Sequence, residues 1–295
     1  MSTICGSDLH TWQGKREAPL PIILGHEIVG EIQEIGEGAD RDVLGNPLAK
    51  GDRITWTIMA SCGKCYYCQM KQLPQKCLYL FKYGHESCQN PPYLNGGLAE
   101  YIYIRPGTGI FKIPEELSDE EVTPINCALA TVVNGLETIG IELGDNVVVQ
   151  GVGMLGINAV AMLRERGAEK IIALDIDQQR LKFAEEFGAD EVINVNQTNP
   201  TETLSLVKDL TGGYGADVVI EVSGSPGVIS QGIEMLRVGG RYLLIGTVFP
   251  KANFMLDGYV VTTKTITIKG IHNYQVRHLG EGLDFVIRTH NKHPF

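Results

Sequence analysis

No stretch of this sequence approaches the roughly 18 to 20 uninterrupted apolar residues that a membrane-spanning helix requires, and residues 1–10 offer neither a basic start nor an apolar core for an export leader. Those absences predict a cytoplasmic chain with no membrane partner. Positive charge is also short: 25 Lys and Arg stand against 35 Asp and Glu, for a net charge of −10. A protein that grips a phosphate backbone concentrates positive charge on one surface, so nucleic acid is not an expected partner. Internal repeats, low-complexity tracts and charged tails are missing too, which excludes solenoid and disordered classes. What remains is 295 residues, 43% hydrophobic and 20% charged, with mean hydropathy −0.01: the make-up of a globular chain of about two domains.

The texture of the chain changes once. The first hundred residues read as short strands broken by Gly and Pro, at 28–35, 51–57 and 99–104, an all-β pattern. Beyond Pro114, Ser118 and Glu121 form a capping-box signature, and a helix is expected through about Gly135. From Asn146 six β-branched runs (147–150, 171–175, 192–195, 217–222, 242–246 and 266–271) alternate with amphipathic segments such as 181–187 and 228–236. Strands alternating with helices predict an α/β fold, a doubly wound parallel sheet covered on both faces.

The first of those runs leads into Gly151-Val152-Gly153-Met154-Leu155-Gly156, a GxGxxG placed after a strand and ahead of a helix at 157–166. In such a loop Gly151 permits the tight turn, Gly153 lets backbone approach a pyrophosphate, and Gly156 lets helix and strand pack closely. The next strand ends in Asp175, 24 residues after Gly151, where an acid should meet the adenosine ribose. By itself Asp175 could equally be a strand-end acid. With the glycines it predicts dinucleotide binding, and NAD rather than NADP, because a carboxylate accepts from hydroxyls and repels a 2′-phosphate. Arg180, five residues on, is the residue that could soften that preference.

Seven cysteines are an odd number, and four of them, Cys62, Cys65, Cys68 and Cys77, fall within sixteen residues. Four thiolates close a tetrahedral shell with no open position, which predicts a structural zinc site rather than a disulfide framework. Buried free thiols and a zinc-bearing nucleic-acid module are the competing readings, and the acidic charge weighs against the second. Elsewhere Cys5, His26 with Glu27, and Cys127 are scattered. Singly, each has an ordinary reading: a free thiol, a hydrogen-bonded turn histidine and a core cysteine.

Jointly they do not. The motif Cys5-Gly6-Ser7-Asp8-Leu9-His10, then Gly25-His26-Glu27, the four-cysteine lobe, Gly96-Gly97-Leu98-Ala99-Glu100-Tyr101, Cys127 with Thr131, and the glycine fingerprint with Asp175 resemble the zinc-dependent medium-chain alcohol dehydrogenase family nearly end to end. The resemblance implies a GroES-like β-rich catalytic domain over 1–128, an NAD-binding Rossmann domain over 129–273, and a return toward the catalytic domain over 274–295, with the active site in the cleft between domains. It implies two zinc ions, one structural and one catalytic. The catalytic ion would be held by Cys5, His26 and Cys127, with Glu27 as an occasional ligand and Asp8 orienting a ligand histidine. Ser7 would take the alcohol proton and pass it through the cofactor ribose to His10, while Thr131 would pack against the nicotinamide. A homodimer or homotetramer is the family habit, by edge pairing of Rossmann sheets.

The sequence departs from the family pattern in three places: eight residues rather than the usual seven separate Cys68 from Cys77, the first motif lies close to Met1, and the chain stops at Phe295 before the family's returning strands. The second and third departures predict missing strands at both ends of the catalytic domain. For substrate, a likeness around 73–86 points to a phosphonate-linked alcohol, with a polyol-type alcohol beside it. Ile58, Tyr83 and His85 are pocket candidates, although a solvated loop is the favoured reading of His85 and Glu86. A zinc- and nucleotide-binding protein without catalysis is the alternative reading.

Overall fold

Glycine and proline interrupt most apolar runs of the first hundred residues, and apart from the uninterrupted run at 53–60 the strands there are short. A computed structural model describes all residues, Met1–Phe295, and divides them into two units: 1–130 with 273–290 and 295, and 131–272 with 291–294. In the first unit, β1 (Ser2–Thr3) is followed by helix α1 (Gly6–Trp12) and by β2 (Glu27–Ile28), which pairs antiparallel with β1. Then come β3 (Gly30–Glu31), the long β4 (Arg53–Ala60), the single turn α2 (Tyr66–Gln69), β5 (Phe81–Lys82), β6 (Thr108–Lys112) and α3 (Asp119–Val122). Strand β4 is the hub, antiparallel to β3, β5 and β6. Around it Ile28, Ile54, Trp56, Phe81 and Tyr83 make the core, with Tyr83 edge-on to both Phe81 and Trp56.

Two expectations for this half need correction. Residues 99–104 alternate as a strand should, with Ile102 and Ile104 packed on the core and Tyr101 and Tyr103 exposed. Yet no ladder forms there; Tyr103 N–H donates to the loop carbonyl of Leu94, so burial periodicity survives without a partner strand. The helix expected from Ser118 to Gly135 is really three pieces. Ser118 does cap α3, its hydroxyl accepting from Glu121 N–H while Glu121 Oε2 accepts from Ser118 N–H. Pro124, lacking an N–H, ends that turn, and a π-helical turn at Ile125–Leu129 then leads into α4 (Ala130–Ile139).

In the second unit the chain alternates β7 (Asn146–Gln150), α5 (Met154–Glu165), β8 (Lys170–Asp175), α6 (Gln178–Glu186), β9 (Glu191–Asn194), α7 (Pro200–Leu210), β10 (Ala216–Glu221), α8 (Gly227–Met235), β11 (Leu236–Leu244), α9 (Gly258–Thr263) and β12 (Thr267–Gly270). All six strands are parallel, in the order β12-β11-β10-β7-β8-β9. Val147, Val148, Val149, Ile171 and Ile172 are fully buried, as strands covered on both faces must be. The order reverses between β7 and β10, and the crevice at the carboxyl ends of those two strands is where an open α/β sheet binds ligands. The helix Val276–Thr289 returns to the first unit, where Gly282 lets it approach Ile125 and Leu129 of the π turn. No helix is long and apolar enough to cross a membrane.

Candidate active site

Asp8 organises the first cluster. It stands at the third position of α1, and its Oδ2 accepts the N–H of the N-cap residue Cys5 at 2.9 Å, fixing where that thiol emerges. Its Oδ1 accepts Gly25 N–H at 3.2 Å and lies 3.3 Å from His26 Nδ1. With Nδ1 turned to a carboxylate, Nε2 is the nitrogen left for a metal. Gly25 has φ +90°, and a Cβ there would strike Leu98, so the turn presenting His26 requires glycine. Cys127 comes from the π turn, whose widened geometry often marks functional positions.

One donor atom from each of Cys5, His26, Glu27 and Cys127 lies within 4.8 Å of all the others. His26 and Glu27 are almost fully buried. This crowding shifts the titration of each of the four groups. The Cys127 hydrogen bond chiefly drives the Cys5 thiol down to about 3, against its burial. Cys127 itself is pushed well up by the same hydrogen bond and by burial. Burial also lifts Glu27 to about 8, whereas for His26 the burial penalty is outweighed by Asp8 and Cys5, which raise it to about 9. Two thiolates and an imidazole are a donor set that fits zinc with a fourth position to spare, and Glu27 stands within reach of that position.

The second cluster is Cys62, Cys65, Cys68 and Cys77, again with sulfurs within 4.8 Å of one another. Gly63, at φ +67°, turns the chain between the first two cysteines, and Cys65 caps α2, which brings Cys68 around to 3.5 Å from its sulfur. Cys77 Sγ accepts N–H groups from Cys62 and Tyr79, both at 3.3 Å. Backbone donors of this kind stabilise thiolates, and the Leu78 N–H leads in bringing Cys65 down to about 6. The eight-residue spacer takes up a turn of 3₁₀ helix at Pro74–Lys76 and still returns Cys77 to the cluster. All seven cysteines are free thiols, and Cys88 belongs to neither group.

At the nucleotide loop the three glycines have three different reasons. Gly151, at φ +93°, would place a Cβ 2.6 Å from Ser223 Cα; Gly156 would drive one into the carbonyl oxygen of Gly151; Gly153, the N-cap of α5, has open space before it. That open cradle at a helix N-terminus fits a pyrophosphate. Asp175 is buried, and its carboxylate accepts Val152 N–H on Oδ2 and the N–H groups of Ile176 and Asp177 on Oδ1. Of about four lone-pair positions, one remains for a ribose hydroxyl. Arg180 lies exposed on the first turn of α6, its guanidinium without hydrogen bond or ion pair, and Thr131 is buried at the start of α4.

Ser7 Oγ stands 3.5 Å from His26 Nε2, and His10 follows one turn later on the same helix, partly exposed. Among the pocket candidates, Tyr83 is no wall residue: it is fully buried, its hydroxyl bonded to Thr108 Oγ1 and Arg105 N–H. Ile58 is buried too. His85 is not a solvated loop residue, since its ring centre is 5.0 Å from that of His26 and Nδ1 is 2.8 Å from the Tyr83 carbonyl. Sequence reasoning missed Asn126 and Tyr274. Asn126 Nδ2 donates to the carbonyls of His26 and Trp56, and Tyr274 donates to Asn126 O while accepting Ile58 N–H. Together they pin the π turn that carries Cys127, through contacts that no local motif announces.

Residues 1–115 match the family described as "Alcohol dehydrogenase GroES-like domain", and residues 154–288 match "Zinc-binding dehydrogenase". The chain is 31% identical over 294 residues to 5-exo-hydroxycamphor dehydrogenase of Pseudomonas putida, covering 99% of this chain and 80% of that protein. It is 35% identical over 269 residues to a sorbitol dehydrogenase of Halalkalibacterium halodurans, covering 90% and 73% respectively. Among solved structures, an alcohol dehydrogenase of Thermotoga maritima superposes with TM-score 0.93 at 33% identity, over 98% of this chain and 80% of that one. A zinc-binding dehydrogenase of Sinorhizobium meliloti, solved bound to NADP, superposes with TM-score 0.82 at 26% identity, over 97% and 79%.

Proposed function

Because the chain belongs to the zinc-dependent medium-chain alcohol dehydrogenase family, a family of oxidoreductases, we propose that it is an NAD-dependent enzyme that oxidises an alcohol or, in reverse, reduces an aldehyde or ketone. The observation that carries this reading is the convergence of Cys5, His26, Glu27 and Cys127 within 4.8 Å, with Asp8 aiming the imidazole.

Held by Cys5, His26 and Cys127, zinc would supply a Lewis acid of no net charge that eases ionisation of an alcohol, and NAD on the glycine loop would supply the hydride acceptor. The chain's own residues do the rest. Asp8 fixes the His26 tautomer. Glu27, buried beside the thiols, is a reserve ligand. Ser7 Oγ accepts the alcohol's proton as it releases its own toward His10, a turn further along the same helix, which gives a proton to solvent in exchange. Cys62, Cys65, Cys68 and Cys77 hold a second, structural zinc. Phosphonate-linked and polyol alcohols are the substrate classes we favour, and we expect a dimer or tetramer built through the sheet edge β12.

A panel of such alcohols with NAD, followed by nicotinamide absorbance, tests the proposal. Reduction of NAD by at least one alcohol, abolished in Cys127→Ala, is the expected result. A chain that binds zinc and nucleotide but reduces NAD with none of the panel is a binding protein instead.

A further inference from the structure

The four-cysteine lobe is fastened to the same backbone that carries the first cluster of ligands. Cys62 follows the last residue of β4, Ala60, by two positions, and within β4 the N–H of Ile58 donates to the Tyr274 hydroxyl at 3.1 Å. That hydroxyl donates in turn to the carbonyl of Asn126, the residue before Cys127. Asn126 Nδ2 donates to the carbonyl of His26 at 3.1 Å, so one residue adjoins Cys127 and holds the backbone of His26.

A second tie comes from the spacer between Cys68 and Cys77. Gln72, at φ +52°, offers its carbonyl to Gln275 Nε2 at 2.7 Å, and Gln275 is the neighbour of Tyr274 in the chain. Pro74 and Gln75 of the same spacer line a small cleft together with Tyr274 and Val276, and Gln75 is buried. Only Cys77 among the lobe's cysteines is buried, so metal rather than a core orders the lobe. Without its ion the lobe gives Gln275 and Tyr274 no fixed partner on that side. Donor atoms held in place beforehand bind more tightly than donors that binding itself must order.

We propose that Gln275 and Tyr274 are positioning residues through which the ion of the four-cysteine lobe raises the zinc affinity of the Cys5, His26 and Cys127 site. The inference rests on the two zinc sites of the dehydrogenase reading and adds a coupling between them. By linkage, an ion at the first site raises the lobe's affinity by the same factor.

Cobalt, whose thiolate absorption separates a four-sulfur from a two-sulfur site, is to be titrated against a chelator series in wild type, Gln275→Glu, Cys68→Ser and the double variant. Gln275→Glu keeps an oxygen for Arg277 Nε and leaves the backbone bond to His278 Nδ1 alone, but has no N–H for Gln72. Cys68→Ser, which empties the lobe, should weaken the first site by about tenfold, an ordinary coupling between sites and short of emptying it. Gln275→Glu should weaken it several-fold with the lobe still loaded. The double variant should be no weaker than Cys68→Ser, because an empty lobe has nothing left to transmit. If Cys68→Ser fails to fold, the lobe's own cobalt affinity should fall in Gln275→Glu by the same factor as the first site's. First-site affinity equal in wild type and Cys68→Ser overturns the coupling and leaves both metal sites standing. Losses that add in the double variant overturn the role of Gln275. A wild-type chain that takes up cobalt only with four-sulfur absorption overturns the first zinc site itself.

Discussion

Asp8 serves three partners with one carboxylate: the Cys5 N–H, the Gly25 N–H and the His26 ring. Asp8→Asn would turn an amide toward one of those donors and loosen the imidazole. Zinc affinity at the first site should fall by about 10- to 100-fold, the typical cost of losing an orienting partner, while zinc in the four-cysteine lobe stays bound. Competition with a graded chelator series reads both; equal affinity in variant and wild type would contradict the role given to Asp8. Ser7→Ala should lower turnover by about 10² to 10⁴, with zinc content unchanged. Away from the site, Asp42 gives a pH prediction. Burial opposes its charge, but Asn46, Lys112 and Leu44 outweigh that penalty and hold its pKa below 3.8. A depressed carboxylate contributes stability that is fully present above the unfolded value and lost as pH falls through the folded one. Urea midpoints measured from neutral pH down past 3.8 should therefore fall less in Asp42→Asn than in wild type. At this scale the sequence announced the chemistry but not its support. Cys5, His26 and Cys127 carry motif spacings; Asn126 and Tyr274 act through partners 70 to 216 positions away.

Elements were legible where burial and periodicity agreed. The six parallel strands of the second unit lie within a few residues of their expected places, because strands buried on both faces are written as continuous apolar runs. Leu236–Leu244 begins six residues early, at a stretch including Gly239 and Gly240 that lacks that signature. Residues 99–104 show the opposite failure, an alternating pattern without a partner. The π turn was illegible for a different reason: Pro124 signals an interruption, but the widened turn that follows is set by Tyr274 and the helix Val276–Thr289 packing against it. The four-cysteine lobe is an element with little core of its own, Cys77 alone of its cysteines being buried. Its order should thus depend on metal. Cys68→Ser should remove one zinc per chain and lower the thermal midpoint by several degrees, leaving nucleotide affinity near wild type. A midpoint that does not move would mean the lobe folds without its ion.

For the whole molecule, the division into a β-rich unit and a doubly wound unit was readable from the change of texture past Pro114, and the family relationship accounts for both halves. Cofactor choice is the property that rests on the fewest atoms. Asp175 spends three of its acceptor positions on backbone N–H groups, so the proposed preference for NAD depends on its charge and one remaining lone pair, with the exposed Arg180 five residues on. Asp175→Asn should narrow the NAD over NADP affinity ratio by about tenfold, the effect of one charged hydrogen bond. An unchanged ratio by calorimetry would place the discrimination elsewhere. The central claim, that this chain moves a hydride from an alcohol to a nicotinamide, has a direct measurement: incubate the zinc-loaded protein with NAD and an alcohol deuterated at its carbinol carbon, and weigh the reduced cofactor by mass spectrometry. The account predicts NADH heavier by one deuterium, formed together with the carbonyl product. NADH lacking the label, or none formed from any alcohol of the panel, would contradict it.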